Sequence, residues 1–344
     1  MFPSEFQIGD RTVGGDHPAY VIAEVGANHN RDLGTAYKLI EDAAYAGADA
    51  VKFQSYAGSL YSRKAASFRY LKTSLFPSEF MESIAMPREW QSILSEYSRE
   101  LGICFFSSPF DHDAVRQLAE IGVPVLKIAS YEIVNLPLIE ASAATGLPLL
   151  ISTGMATMGE IEDALVAADA APAVGLMQCT SAYSADLADA NLRAMETMRR
   201  AFGVPVGLSD HTLGITVSIA AAALGASFIE KHLTLDRKMA GPDHSFALEP
   251  LEFELMVTGI RQAEAALGDG RKRGPSPDEL EESYSLRPSL HFARDLPRGT
   301  VLERDMLTVK RPADGIKAKH LGTVVGRELT QDVETDDALT WGML

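Results

Sequence analysis

Residues 20–267 repeat one pattern eight times: a short apolar run, a polar cluster and then a stretch with helical periodicity. Near-continuous apolar runs are typical of parallel strands that are buried on both faces of a sheet. Eight strand–helix units in about 250 residues match the size of a TIM barrel, so the sequence predicts an α/β chain built on a (β/α)8 barrel. The predicted strands are residues 20–23, 50–53, 103–106, 125–128, 149–151, 174–177, 204–208 and 227–229.

An open, doubly wound parallel sheet is the alternative fold, but no glycine-rich dinucleotide fingerprint follows the first strand. We predict a barrel domain at residues 1–267 and a linker at residues 268–288. Residues 289–344 contain short β-like pieces and turn signals, which predict a small β-rich domain. Because a domain of about 55 residues is marginal alone, we expect it to lean on the barrel or on a second subunit.

The composition excludes several classes of partner. The formal net charge is −16, with 47 acidic against 31 basic residues, so the surface repels nucleic acid and anionic membranes. No apolar run reaches the length of a membrane span, and residues 1–11 show no signal-peptide pattern. Cys104 and Cys179 lie in apolar, strand-like runs and are interpreted as buried reduced thiols, which predicts a cytoplasmic protein.

Polar residues stand at the carboxyl end of every predicted strand, where a TIM barrel carries its active site. In chain order they are Glu24, Asn28, His29, Lys52, Gln54, Ser107, Ser108, Lys127, Ser130, Glu132, Ser152, Thr153, Gln178, Thr180, Ser181, Tyr183, Ser209, Asp210, His211, Glu230, Lys231 and His232.

His211 and His232 end two successive strands that one right-handed crossover makes parallel. They could therefore share a divalent metal, although each could simply cap its strand. Two imidazoles leave coordination positions open for water and substrate, so Mn²⁺ or Mg²⁺ fits better than structural zinc. Such an ion would polarise a carbonyl oxygen.

Lys52 and Lys127 interrupt otherwise apolar strands, beside several serines of neighbouring strand ends. Together they describe an anion pocket; the alternatives are lysines that snorkel to the surface or a Schiff-base lysine. Glu24 is the candidate for proton transfer, with a purely structural pairing to Lys52 as its alternative. A phosphate-bearing anion beside a metal-activated carbonyl predicts carbon–carbon bond formation from an enol phosphate, or an aldol reaction.

Seven short motifs resemble those of the sialic acid synthases, in the same order along nearly the whole chain. They are Ile22-Ala23-Glu24-Val25-Gly26-Ala27-Asn28-His29, Val51-Lys52-Phe53-Gln54, Lys127-Ile128-Ala129-Ser130, Ser152-Thr153-Gly154-Met155, Gly207-Leu208-Ser209-Asp210-His211, Glu230-Lys231-His232 and Gly241-Pro242-Asp243-His244. The resemblance implies a TIM barrel followed by an antifreeze-like (SAF) domain. It also implies condensation of phosphoenolpyruvate with an N-acetylhexosamine, giving a nine-carbon 2-keto acid and phosphate.

The resemblance assigns roles to residues of this chain. It implies that His211 and His232 bind Mn²⁺, with Mg²⁺ or Co²⁺ as alternatives, and that Glu24 acts in proton transfer while phosphate leaves by C–O cleavage. Phosphoenolpyruvate would be held by Lys52, Ser108, Lys127, Ser130, Ser152 and Ser209. The sugar would be held by Glu132, Tyr183 and Asp243, and by Arg311 from the partner subunit of a domain-swapped homodimer.

The motifs do not all point to the same sugar substrate, because some resemble sialate synthases and others resemble pseudaminate synthases. Tyr131 and Ser181 depart from many bacterial sialate synthases, and Tyr131 is more similar to the pseudaminate branch. The motif 241–245 and the segment 178–183 resemble sialate synthases, so we predict N-acetylmannosamine, with a 2,4-diacetamido sugar of the pseudaminate or legionaminate branch as the alternative. A metal-dependent aldolase and a non-enzymatic carbohydrate or ice binder are more distant alternatives.

The long connection at residues 57–86 is rich in Ser, Tyr and Lys. Long loops on the catalytic face of a barrel are usually lids or partner contacts, which is the prediction for this segment.

Overall fold

The computed structural model describes residues 2–62 and 75–344. The chain divides into two compact units, Met1–Gly268 and Asp269–Leu344. Residues 63–74 of the predicted lid lie outside the described residues.

The first unit alternates strands and helices as the sequence predicts. Its strands are β1 (Glu5–Ile8), β2 (Arg11–Gly14), β3 (Tyr20–Glu24), β4 (Ala50–Ser55), β5 (Cys104–Pro109), β6 (Leu126–Ile128), β7 (Leu149–Ser152), β8 (Val174–Cys179), β9 (Val206–Asp210) and β10 (Phe228–His232). Its helices are α1 (Leu33–Tyr45), α2 (Pro77–Ile84), α3 (Trp90–Glu100), α4 (His112–Ile121), α5 (Leu136–Ala143), α6 (Met158–Ala167), α7 (Arg193–Phe202), α8 (Thr216–Ala223) and α9 (Pro250–Leu267).

Strands β3 to β10 form one parallel sheet in the order β5-β4-β3-β10-β9-β8-β7-β6. The eighth of these strands therefore pairs with the first, with Phe228 opposite Tyr20. The two outermost strands, β5 and β6, approach each other closely, which curls the sheet round on itself. The prediction of a TIM barrel is confirmed, and the open doubly wound sheet is wrong.

Seven of the eight barrel strands run farther toward their carboxyl ends than the predicted apolar runs, and β6 ends at the predicted residue, Ile128. β4, for example, continues to Ser55, and β10 continues to His232. An apolar run ends at the first polar side chain, but backbone pairing continues through it, since Gln54 is opposite Ser108 and His232 is opposite Glu24. Polar residues are thereby held on the rigid ends of strands rather than on loops.

A β-hairpin that sequence analysis did not predict, β1–β2, covers the amino-terminal ends of the barrel strands. Phe6 and Val13 are buried in the main core, and the Phe6 ring lies 6.0 Å from that of Phe228, the first residue of β10. Each hairpin strand has only four residues, too few to give a clear alternation of apolar and polar positions.

The second unit has its own core. It contains α10 (Pro277–Leu286), β11 (Ser289–Phe292), β12 (Leu307–Lys310) and α11 (Leu321–Val324), with β11 and β12 antiparallel. Leu290, Phe292 and Val324 are buried in this core. Part of the predicted linker is therefore helical: Ser276 caps α10 in a capping box with Glu279.

Within residues 2–62 and 75–344, no helix combines the length and the apolar character needed to cross a bilayer.

Candidate active site

The carboxyl ends of the barrel strands enclose a small inner pocket of about 80 Å³. All nine residues predicted for catalysis and phosphoenolpyruvate binding in the barrel line it: Glu24, Lys52, Ser108, Lys127, Ser130, Ser152, Ser209, His211 and His232. The structure thus brings together side chains that lie as far as 208 positions apart in the sequence.

Both predicted lysines are buried in this pocket, each with 2% of its surface exposed. Lys52 Nζ lies 2.5 Å from Glu24 Oε2 and donates a hydrogen bond of 3.3 Å to Ser108 Oγ. Lys127 Nζ donates a hydrogen bond of 2.7 Å to Ser152 Oγ. The snorkelling interpretation is therefore wrong, because neither ammonium group reaches the surface.

Glu230 is a pocket residue to which sequence analysis assigned no role. Its carboxylate oxygens lie 3.7 Å from Lys52 Nζ and 3.6 Å from Lys127 Nζ, and it accepts a 2.9 Å hydrogen bond from Ser209 Oγ. Burial alone would raise the pKa of Glu230, but the two lysines and Ser209 hold it below its usual value. The signal was present in the sequence, since Glu230 lies two residues before His232 and so faces the same side of β10.

Glu24 has an environment different from that of Glu230. Its Oε1 accepts a 2.6 Å hydrogen bond from Gln54 Nε2. Its other oxygen pairs with Lys52, the contact that sequence analysis gave as the alternative to a role in proton transfer. Burial raises the pKa of Glu24, and Lys52 only partly opposes this. The pocket therefore holds two carboxyls with opposite pKa shifts. Glu24, with its raised pKa, is suited to proton transfer, and Glu230, with its lowered pKa, stays ionised and balances the charge of the lysines.

His211 and His232 lie side by side, with ring centroids 5.4 Å apart. His211 Nδ1 is 3.0 Å from the carbonyl oxygen of Thr180, which can only accept, so Nδ1 carries the proton and Nε2 keeps its lone pair. Burial lowers the pKa of His232 well below its usual value, which keeps this imidazole neutral. Burial alone would lower the pKa of His211 as well, but Cys179 and the Thr180 carbonyl raise it, so this imidazole would lose a proton when a cation binds. An imidazole with one ring nitrogen oriented by a carbonyl is a typical metal ligand.

The donor set fits a divalent ion with open coordination positions. His232 Nδ1 is buried without a hydrogen-bond partner in the part of the chain that the structure describes. That part of the chain also contains no cluster of three or more His, Cys, Asp and Glu side chains arranged as a metal cage. Two histidines would thus be the protein ligands, and the remaining positions would be open to water and substrate.

Cys179 is a second neighbour of His211 that sequence analysis left without a role. Its Sγ is 3.7 Å from His211 Nδ1, and the side chain lines the inner pocket. Burial raises the pKa of this thiol, but hydrogen bonds to His211, Ser130 and Ser181, together with the charge of His211, outweigh burial and lower the pKa to about 7.

A larger outer cleft of about 690 Å³ adjoins the inner pocket and shares Gln54, Phe110, Tyr131, Tyr183 and His232 with it. Glu132, Tyr183 and Asp243, the sugar-binding residues predicted within the barrel domain, all line this cleft. The rest of the wall is largely aromatic and aliphatic, formed by Tyr56, Leu60, Tyr61, Phe80, Met81, Ile84 and Phe110. None of the described residues that line it is a lysine or an arginine.

The two carboxylates of the outer cleft are held by nearby groups. Glu132 Oε2 accepts a 2.6 Å hydrogen bond from Asn135 Nδ2, and Asp243 Oδ2 accepts one of 3.2 Å from the Ala27 backbone. Burial raises the pKa of Asp243. Gly26, with φ of 53°, makes this approach possible, because a Cβ there would lie 2.7 Å from Asp243 Oδ2.

Arg311, the remaining predicted sugar-binding residue, is exposed in the second unit. Its assignment to the site of a partner subunit stays a prediction.

Comparison with known proteins agrees with this geometry. Residues 39–272 match the NeuB family, and residues 287–344 match the SAF domain, which confirms the predicted antifreeze-like domain. The chain is 41% identical over 328 residues to the N,N'-diacetyllegionaminic acid synthase of Campylobacter jejuni, covering 93% of this chain and 98% of that protein. It is 36% identical over 336 residues to human N-acetylneuraminate-9-phosphate synthase, covering 96% of this chain and 93% of that protein.

A crystal structure of the N-acetylneuraminic acid (sialic acid) synthetase from Leptospira borgpetersenii has a similar fold. Its TM-score is 0.73 with 36% identity, covering 82% of this chain and 95% of that one. The resemblance to sialic acid synthases is thus confirmed at the level of the family. The chain belongs to the NeuB family of nonulosonic acid synthases and is a transferase.

Proposed function

We propose that this enzyme condenses phosphoenolpyruvate with an N-acetylated amino hexose in its open-chain form. A carbon–carbon bond forms between C3 of phosphoenolpyruvate and the sugar aldehyde carbon, which becomes a hydroxyl-bearing carbon. Water adds at C2, and phosphate leaves with cleavage of its C–O bond, which yields a nine-carbon 2-keto acid. The observation that carries this proposal is the pair of buried lysines beside two adjacent, buried histidines.

The inner pocket supplies the binding site for the enol phosphate. Lys52 and Lys127 provide positive charge, and the hydroxyls of Ser108, Ser130, Ser152 and Ser209 provide orientation. Glu230 lies between the two ammonium groups and offsets their mutual repulsion, because each is within 3.7 Å of its carboxylate. The carboxylate of Glu230 therefore holds both amino groups in position before the anion arrives.

His211 and His232 would hold Mn²⁺, with Mg²⁺ or Co²⁺ as alternatives. When bound there, such an ion supplies Lewis-acid polarisation of the sugar aldehyde. His232 lines both cavities, so it lies at the boundary where the two reacting carbons would meet. Glu24 would move the proton of the attacking water, because its raised pKa lets a carboxyl exchange a proton nearer neutral pH.

The wall of the outer cleft favours a 2,4-diacetamido-2,4,6-trideoxyhexose as the sugar. Such a sugar carries an acetamido group in place of the C4 hydroxyl of N-acetylmannosamine and a methyl group in place of its C6 hydroxymethyl group. Leu60, Phe80, Met81 and Ile84 offer apolar surface for these groups. Among the described residues of the barrel domain that line the cleft, there is no lysine or arginine to pair with a sugar 6-phosphate.

N-acetylmannosamine, the sugar that the sequence predicts, is the second candidate. The observation that favours it is the pair of carboxylates Glu132 and Asp243, which can accept hydrogen bonds from sugar hydroxyls. Phosphate release from phosphoenolpyruvate with Mn²⁺ tests both candidates in parallel. Release with the diacetamido sugar at the higher kcat/KM supports our preference, release with N-acetylmannosamine alone reverses it, and no release with either rejects the synthase proposal.

We further propose that the enzyme works in the cytoplasm as a homodimer in which Arg311 enters the site of the partner subunit. Reduced thiols at Cys104 and Cys179 support the compartment. Mixing His211→Ala subunits with Arg311→Ala subunits tests the dimer. If each site needs His211 from one subunit and Arg311 from the other, randomly assembled dimers regain about a quarter of the wild-type sites. No recovery, with exchange verified by differently tagged subunits, contradicts the domain swap.

A further inference from the structure

A buried ion pair, Asp210–Lys231, lies directly behind the two candidate metal ligands. Asp210, the last residue of β9, immediately precedes His211, and Lys231 immediately precedes His232 in β10. The two residues are opposite each other where the strands pair. Lys231 Nζ is 2.8 Å from Asp210 Oδ2, and the two residues are 1% and 2% exposed. Neither side chain lines the inner pocket or the outer cleft.

The side on which this pair lies follows from strand geometry. Successive side chains of a strand point to opposite faces, and Ser209 and Glu230 point into the barrel, where they bond each other. Asp210 and Lys231 therefore point outward, toward α8. Ser218 of that helix confirms the direction, because its hydroxyl donates a 2.7 Å hydrogen bond to Asp210 Oδ2.

The ion pair spans the backbone on both sides of His211. Asp210 Oδ1 accepts hydrogen bonds from the backbone N–H of Thr212 at 2.8 Å and from its hydroxyl at 2.7 Å. Lys231 Nζ also donates to the carbonyl oxygen of Thr212, at 2.5 Å. The ammonium group of β10 is thus bonded to the residues before and after His211, so the backbone of one histidine is tied to the strand that carries the other.

Stability alone does not account for such a pair. Replacing a buried ion pair with apolar residues of similar volume is often neutral or stabilising, because removing two charges from water is costly. The best-attested gain from buried ionic groups is a fixed register between elements. In this chain the ion pair would fix the register between β9 and β10, and that register sets the spacing of His211 and His232.

We propose that Asp210 and Lys231 are positioning residues that fix the separation of His211 and His232 and thereby set the affinity of the site for its divalent ion. This inference rests on the proposed metal site. The pair contacts neither cavity, so it acts through the backbone of the two histidines and not on phosphoenolpyruvate or the sugar.

The test is Mn²⁺ binding to the substrate-free enzyme, measured by calorimetry and by the electron paramagnetic resonance signal of free Mn²⁺. Asp210→Asn removes the charge that faces Lys231, and it should weaken Mn²⁺ binding about tenfold, as changes behind metal ligands commonly do. Excess Mn²⁺ should restore turnover in this variant. The KM for phosphoenolpyruvate, measured at saturating Mn²⁺, should stay unchanged.

Asp49→Asn is the matched control. Asp49 is another largely buried carboxylate, and it pairs with Arg261 at 3.0 Å and with Arg11 at 2.5 Å. It precedes β4, at the end of the barrel opposite the site. This variant should lower the thermal midpoint of unfolding while leaving Mn²⁺ affinity unchanged. Equal Mn²⁺ affinity in Asp210→Asn, Asp49→Asn and the wild type overturns the inference.

Two further variants keep the outcome decisive. If Asp210→Asn does not fold, the double variant Thr212→Val and Ser218→Ala removes two of the neutral donors to Asp210, and unchanged Mn²⁺ affinity there overturns the inference. His211→Ala separates the two levels of the proposal. If it binds Mn²⁺ as the wild type does, the metal site itself is wrong; if it loses Mn²⁺ but Asp210→Asn does not, only the positioning role is wrong.

Discussion

The inner pocket and the outer cleft differ in size, in chemistry and in the kind of backbone that carries them. The pocket of about 80 Å³ is lined mainly by charged and hydroxyl side chains at strand ends. The cleft of about 690 Å³ has an aromatic and aliphatic wall, much of it from the connection after β4 and from α2. Strand ends are fixed by pairing on both sides, whereas a connection can change without disturbing the barrel.

This difference suggests that the two cavities have different functions. The charged pocket and the two histidines would carry the chemistry, which is the same for every sugar. The cleft would decide which sugar is used, which fits a family whose named relatives here make both legionaminate and sialate products. Changes in the pocket should therefore lower activity with all sugars equally, and changes in the cleft should alter the preference between sugars.

The largest effect is expected for His232→Ala. Loss of metal polarisation removes several kcal/mol of transition-state stabilisation, so kcat/KM should fall about a thousandfold with every sugar, as measured by phosphate release. His17→Ala is the control, because His17 is exposed and precedes the amino-terminal end of β3, at the end of the barrel opposite the candidate site. Retention of more than a tenth of the activity in His232→Ala would remove this histidine from the chemistry.

Lys127→Met should have the second-largest effect. Losing charge-assisted hydrogen bonds to a buried anion costs about 3 kcal/mol, which is about a hundredfold in kcat/KM for phosphoenolpyruvate. The KM for the sugar should not change. Lys38→Met on α1 removes an exposed lysine that pairs with Asp42 and should leave both constants intact. An increase in the sugar KM for Lys127→Met would contradict the separation of pocket and cleft.

Glu132→Gln should raise the sugar KM about tenfold through the loss of a charged hydrogen-bond acceptor. The KM for phosphoenolpyruvate should stay the same, and the ratio of kcat/KM between the two candidate sugars should change. Glu140→Gln, an exposed position on α5, is the control. An equal loss with both sugars would place Glu132 with the chemistry rather than with sugar selection.

The smallest expected effect is a pH dependence of the KM for phosphoenolpyruvate, which should have no counterpart in the KM for the sugar. Burial, with a smaller contribution from Lys52, lowers the pKa of Lys127 below its usual value, although Glu230 opposes this. As pH rises through a lowered pKa, the lysine loses its charge earlier than an exposed lysine would, so the KM for phosphoenolpyruvate should rise at alkaline pH. Lys127→Met should remove this rise while the sugar KM keeps its profile, and an unchanged alkaline rise in Lys127→Met would refute the assignment.

Sequence patterns predicted the inner pocket better than the outer cleft, and the reason is physical. In a barrel, strand ends converge on one face, so a polar residue that ends an apolar run has a predictable location. That is why Lys52, Lys127, His211 and His232 could be grouped before any geometry was known. Glu230 was missed because it stands in a run of three polar residues, and the two-residue alternation that places it on the same face as His232 was not applied to that run.

The outer cleft follows no comparable rule. Glu132 was grouped with the strand ends by pattern, but its role in sugar binding, like that of Asp243, came only from resemblance to a family. Phe80, Met81 and Ile84 of the apolar wall lie on a short helix after a long connection, and no pattern in the sequence fixes which way such a helix faces. The hairpin β1–β2 escaped prediction for a related reason, because its strands are too short to establish a period.

The four buried charges of the inner pocket have a consequence for proton balance. Glu24, Glu230, Lys52 and Lys127 sum to zero in their usual ionised forms. Phosphoenolpyruvate brings about three negative charges, two on phosphate and one on carboxylate, and a divalent ion returns only two positive ones. Because an uncompensated buried charge is costly, loading should draw protons from solvent. The heat of phosphoenolpyruvate binding would then vary with the ionisation enthalpy of the buffer, and the slope of that dependence gives the number of protons taken up on binding.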